Sequence, residues 1–220
     1  MRMIHGPKWL SVGFCIALWS VQLAAQEARP WTVMDRSVLK LHSSEPGPVY
    51  EIEAVLVEGI GWVQSDVTDA IFAATRILQQ CNLSLGRLQV TRVRVSVEHR
   101  HLDIPHSRRL AAGIAPSRPA LFFVDDTRNR PAFDAEAFGS GNSRSRPELR
   151  HTAWFTRGTP HLAQAIAHEL FHVLADSGAH HDDAGNLMYP ETAAGRQRLD
   201  PPQCAKLLEE SRKNNLLREH

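Results

Sequence analysis

An α/β fold, with helices packed on a twisted mixed sheet, follows from three features of this chain. Residues 49–58 and 88–98 are β-rich runs, and between them Val67, Ala70, Ile71, Ala74, Ile77 and Leu78 recur at helical spacing. Strand, helix and strand in that order imply a right-handed crossover between parallel strands. Residues 120–124 are wholly apolar, as a strand covered on both faces must be. A further helix carries one apolar face through Leu162, Ile166, Leu170, Val173 and Leu174, which suits an element packed against that sheet.

Before the first strand the chain reads as an export signal. Arg2 and Lys8 give a positive start, residues 9–23 are mostly apolar, and Leu23-Ala24-Ala25 ends in small residues, so cleavage is expected after Ala25. The run is too short for a good transmembrane helix, an uncleaved anchor being the alternative. The expected location is therefore secreted or periplasmic. Residues 26–48 are interrupted by Pro30, Pro46, Gly47 and Pro48 and are expected to form an irregular N-terminal arm, with His42 on its surface. Residues 49–220 then make up one folded domain, a size that buries a sizeable core.

Ser65 or Asp66 is the expected cap of the first helix, which ends near Cys81. After the buried strand, residues 125–130 read as a polar turn and 132–138 as another strand. Gly139-Ser140-Gly141-Asn142-Ser143-Arg144-Ser145-Arg146-Pro147 is small and polar; no lysine follows at phosphate-loop spacing, and the segment is expected to be a mobile surface loop. Residues 151–157 give a further strand. Thr159 is the expected N-cap of the next helix, with Pro160 in its first turn and Gly178 as its C-cap. Asp200-Pro201-Pro202 opens a last helix carrying Cys204, Leu207 and Leu208.

The formal charge of +1 gives no reason to expect a nucleic-acid partner or stable membrane association. Cys15 would leave with the signal, and in an oxidising compartment the remaining Cys81 and Cys204 are expected to form a disulfide.

The chemistry concentrates in Ala167-His168-Glu169-Leu170-Phe171-His172. Residues four apart on a helix lie about 40° apart around its axis, so His168 and His172 point at one spot. Zinc accepts neutral imidazole nitrogens, and a catalytic site leaves one of its positions open for water. Glu169 lies beside that position, where a carboxylate can take a proton from water. The plainer reading is a histidine pair with no metal, on the surface or in the core.

With its continuation to Leu187-Met188-Tyr189-Pro190, the stretch resembles the metzincin metalloproteases, whose pattern is H-E-x-x-H-x-x-G-x-x-H followed by a methionine turn. Ala175 stands where that pattern has its glycine, and Gly178 where it has its third histidine; His180 comes two residues later. A two-residue insertion accounts for the shift, and the interval from His180 to Met188 resembles the matrix-metalloprotease form of the turn. The resemblance implies a single α/β zincin domain with a backing helix, an HExxH active-site helix and an edge strand that binds an extended peptide, for which 132–138 is the candidate. It implies Zn2+ on His168, His172 and His180, with His181 and Asp182 as alternative third ligands, and Met188 as a packing residue beneath the metal, or simply a core methionine. Glu169 is then the general base of a zinc endopeptidase acting on proteins or peptides. Two rivals stand beside it: a zinc hydrolase with Glu191 as third ligand, and an exported zincin-fold binding protein without turnover.

Overall fold

The computed structural model describes residues 30–41, 47–127 and 135–219. The expected signal (1–25), Cys15, His42 and residues 132–134 of the expected edge strand lie outside them. Among the described residues the chain forms β1 (Trp31–Lys40), β2 (Val49–Val57), α1 (Gln64–Leu78), β3 (Ser84–Val95), α2 (Ile104–Ile114), β4 (Ala120–Phe123), β5 (Ala135–Phe138), β6 (Thr152–Phe155), α3 (Leu162–Leu174), α4 (Pro201–Lys213) and β7 (Leu217–Arg218). Seven strands make one mixed sheet in the order β1-β3-β2-β4-β6-β5, with β7 added to β2. The centre, β3-β2-β4-β6, is parallel; β1, β5 and β7 pair antiparallel.

The α/β class is as the sequence predicts, and the alternation of β2 explains the layering. Tyr50, Ile52, Ala54 and Leu56 share a core with Ile71 of α1 and Leu170 of α3, whereas Val55 and Val57 share the other with Leu110 and Ile114 of α2. Both faces of the strand are thus covered, which is why β2 reads as a nearly continuous apolar run. Burying each large side chain contributes roughly 1.5–3 kcal/mol. In β4 Phe122 stacks on Trp154 at 4.0 Å and Phe123 on Phe155 at 5.3 Å, which locks β4 to β6.

Several local expectations are corrected. The arm expected at 26–48 contains β1, a ten-residue edge strand paired with β3. Its side chains are mostly exposed, so burial imposes no periodicity on its sequence. Trp31 anchors it against α2, where a Cβ at Gly113 would overlap the indole. Helix α2 covers the face of the sheet opposite α1 and α3, so the expected single backing helix has a counterpart across the sheet; His106, Arg108, Arg109 and Gly113 blur its pattern.

Helix α1 begins one residue before Ser65, with Val63 at the N-cap and no side-chain cap. Helix α3 is preceded by His161 in the left-handed conformation, and the Thr159 hydroxyl donates to the Thr156 carbonyl instead of capping the helix. Gly178 does not end α3. Ala175 closes it and Asp176 takes the left-handed conformation (φ +44°), with Ser177 N–H donating to His172 O at 3.1 Å. That is the Schellman arrangement, with an aspartate where glycine is usual. Cys81 and Cys204 are disulfide-bonded, joining the end of the α1 segment to the first turn of α4. No helix among the described residues is long and apolar enough to cross a membrane.

Candidate metal centre

Helix α3 buries Ile166, Leu170, Val173 and Leu174 in the core and carries His168 and His172 on one side. His168 is only 3% exposed. Its Nδ1–H donates to the Leu187 carbonyl at 2.8 Å, and that of His172 donates to the Ser177 carbonyl at 2.5 Å. A carbonyl accepts only from N–H, so both rings are held with the proton on Nδ1 and the lone pair on Nε2. The two Nε2 atoms lie 3.0 Å apart. Tetrahedral bonds of about 2.0–2.1 Å place neighbouring nitrogens roughly 3.3 Å apart, so this separation fits one shared ion.

After Asp176 the chain turns back and brings exposed His180 over the pair, its ring 5.3 Å from His168 and 5.0 Å from His172. One nitrogen from each of the three rings lies within 4.8 Å of the others. Burial keeps His168 below the usual imidazole range and, with the His168 charge, lowers His172 to about 4. Neutral imidazole is the ligand form, and a three-imidazole set of this kind could hold a transition-metal ion.

The alternative ligands stand outside this group. His181 Nδ1 accepts from the Asp183 amide at 3.0 Å, and its Nε2 lies 3.6 Å from Asp200. Asp182 is exposed and is not among the converging donors. Glu191 is exposed and faces Arg196 at 3.7 Å. Met188 is buried in the same core as Leu170 and Phe171. Its N–H donates to Asn186 Oδ1 (2.8 Å), and Asn186 is bonded through both amide atoms to Gln203. Gln203 in turn completes a capping box with Asp200 at the start of α4. The last helix therefore orients the turn that presents Leu187 O to His168. Sequence reasoning missed this relay, although Asp200-Pro-Pro-Gln203 carries the D-x-x-Q spacing that signals such a cap.

Glu169 lies between two adjoining cavities of about 440 and 330 Å3, which share Ala135, His168, Glu169 and Pro190. The residue keeps some exposed surface, but its carboxyl is enclosed. Burial first, and the negative charge of Glu136 second, push that carboxyl up to about 8. Strand β5, paired with β6 at the end of the sheet, forms the opposite wall with Ala135 and Ala137. The loop after it, expected to be mobile, is held by hydrogen bonds: Ser140 N–H to Asp176 Oδ1 (2.6 Å), Asn142 Nδ2 to Ala137 O (3.0 Å) and Arg146 Nη2 to Asn142 O (2.9 Å).

No family model matches the sequence, and a search of curated proteins returns no match. Among solved structures the chain is similar to metalloproteinase-II from Bacteroides fragilis, with a TM-score of 0.53 and 17% identity over 79% of this chain. The match spans 57% of that protein. The likeness is one of fold.

Proposed function

We propose that this chain is an exported zinc-dependent endopeptidase, with residues 1–25 removed as its signal, 26–48 preceding the catalytic domain, and 49–220 forming that domain. The observation that carries the reading is the convergence of His168, His172 and His180 beside Glu169, midway along a cleft that continues on both sides. A cleft open in both directions suits an extended chain cut internally, and the edge strand β5 suits backbone pairing with it. The disulfide suits an oxidising compartment.

Zn2+ on the three imidazoles supplies Lewis acidity toward the scissile carbonyl and the attacking water, and a positive charge that offsets the burial of Glu169. Glu169 does the proton work. It accepts a proton from water as the water oxygen bonds to the carbonyl carbon, and delivers it to the departing nitrogen as the C–N bond breaks, ending ionised as it began. Leu187 and Ser177 carbonyls hold the imidazoles in the ligand tautomer throughout. Met188 packs beneath the site.

Metal analysis and turnover test the reading together. One zinc per chain is expected, with cleavage of an unfolded protein that a chelator abolishes and zinc restores. His180→Ala should lose the metal, and His181→Ala should keep it. A folded, zinc-loaded chain inert toward a broad peptide library would instead identify a binding protein on this scaffold.

A further inference from the structure

We propose that Asp176 is a positioning residue, which fixes the loop wall of the cleft to the end of the metal-bearing helix and so sets the channel a substrate must enter. The inference rests on the peptidase reading for its substrate, and on the geometry of residues 139–142 for the rest.

Asp176 is locally unfavourable where it stands. It takes a left-handed backbone that glycine adopts more readily, and it puts a carboxylate at the negative end of the α3 dipole. Strain of this kind persists where surrounding structure requires the residue. What requires it is the loop. Asp176 Oδ1 accepts the Ser140 N–H at 2.6 Å, and a Cβ on Gly139 would lie 2.6 Å from the same oxygen, so glycine is needed for so close an approach.

Ser140 is gripped on its side chain as well. Its hydroxyl accepts from Arg150 Nε at 3.0 Å and lies 3.3 Å from Nε2 of His151, itself buried and left-handed (φ +57°). From this pivot the loop enters the cleft: Gly139, Gly141 and Asn142 line the cavity together with His172 and His180. Asn142 then reaches back to the Ala137 carbonyl of β5. One carboxylate thereby joins the helix that holds the histidines to the strand and loop facing them. Phosphate-type loops use glycines to bring backbone near a ligand; here Gly139 brings it near Asp176.

The test compares Asp176→Gly with Asp176→Asn in the full chain with its disulfide intact. Glycine relieves the backbone strain and the dipole repulsion but cannot hold Ser140, whereas asparagine tolerates the left-handed backbone and keeps an acceptor oxygen. Asp176→Gly should melt at or above the wild-type temperature, keep its zinc, and exchange the Ser140 amide at least about tenfold faster by NMR. In the active enzyme its KM should rise by roughly tenfold with kcat little changed. Asp176→Asn should restore most of the Ser140 protection and the KM. Wild-type protection of Ser140 in Asp176→Gly would overturn the proposal. So would loss of zinc and of melting temperature in that variant, or failure of Asp176→Asn to differ from it. Amide exchange is read without turnover, so an inert wild type would sink the peptidase reading and leave this measurement decisive.

Discussion

The two sides of the cleft are built in opposite ways. Its floor is one helix, α3, whose repeat aims His168 and His172 and whose apolar face is sunk in the core. Its wall is a four-residue edge strand, paired with β6 and rooted by the buried Phe138, and a glycine-containing loop, held by single hydrogen bonds with Asp176, Arg150, His151 and Asn142. Packing of many side chains secures the helix; a few polar contacts secure the loop. On the peptidase reading proposed above, such a cleft would keep its chemistry on the helix and leave substrate fit to the loop.

If that division holds, changes to the floor should act on chemistry and changes to the wall on fit. The largest effect is expected at Glu169. Glu169→Gln preserves shape but cannot take a proton, so turnover should fall by about a hundredfold to ten-thousandfold while zinc content and fold are retained. Equal turnover in the variant, measured by peptide cleavage at saturating substrate, would break the assignment.

Next comes the staple beneath the floor. Cys81 and Cys204 are 123 residues apart in sequence. The chain-entropy model gives about 4–5 kcal/mol for closing such a loop, and measured values often fall lower. Cys81→Ser/Cys204→Ser should therefore lower the unfolding free energy in urea by about 2–5 kcal/mol. Two free thiols in the protein from its native compartment would remove this contribution from the account.

The wall should respond to acid. Burial first, then the charge of Arg150, lower His151 from its ordinary 6.5 to about 4. Above pH 6.5 neither folded nor unfolded His151 carries a proton, so stability is unaffected; between 6.5 and 4 the unfolded chain takes the proton first, and stability falls with pH. The loss should amount to roughly 1–3 kcal/mol by pH 4, and His151→Gln should flatten that limb of the curve. Denaturant titrations at several pH values, on the metal-free chain, measure it.

The smallest effect is expected at Gly139. An added Cβ meets Asp176 Oδ1 at 2.6 Å and must push it off Ser140. Gly139→Ala should change stability by no more than about 1 kcal/mol yet raise KM several-fold. A purely thermodynamic loss with unchanged KM would show that the loop has no part in fit.

How much of this is legible without the structure depends on the range of the interactions. The α/β class, strands β2, β3 and β4, helix α1 and the histidine pair all follow from periodicities within a dozen residues, because burial of one face imposes a pattern on the sequence. The disulfide was legible because, with Cys15 expected to leave with the signal, Cys81 and Cys204 were the pair left to join. His180 was reached by resemblance, with His181 and Asp182 left beside it; the His181 N–H bonds to the Met188 carbonyl, in a turn held by Asn186, Gln203 and Asp200 over hydrogen bonds that spacing does not reveal.

Strand β1 and helix α2 escaped for the converse reason. An exposed edge strand and a helix interrupted by basic residues and a glycine carry little apolar periodicity, and Trp31 meeting Gly113 brings together residues far apart in sequence. The ends of α3 were likewise decided outside the helix. Gly178 is the better local cap, yet Asp176 takes the left-handed position, where its carboxylate receives the Ser140 amide. Local sequence thus determined which helix carries the imidazoles and how they are spaced, since both are properties of a repeat. Only the tertiary structure decided where that helix stops, which histidine completes the group and what stands opposite it, because those depend on contacts between residues that adjoin only once the chain has folded.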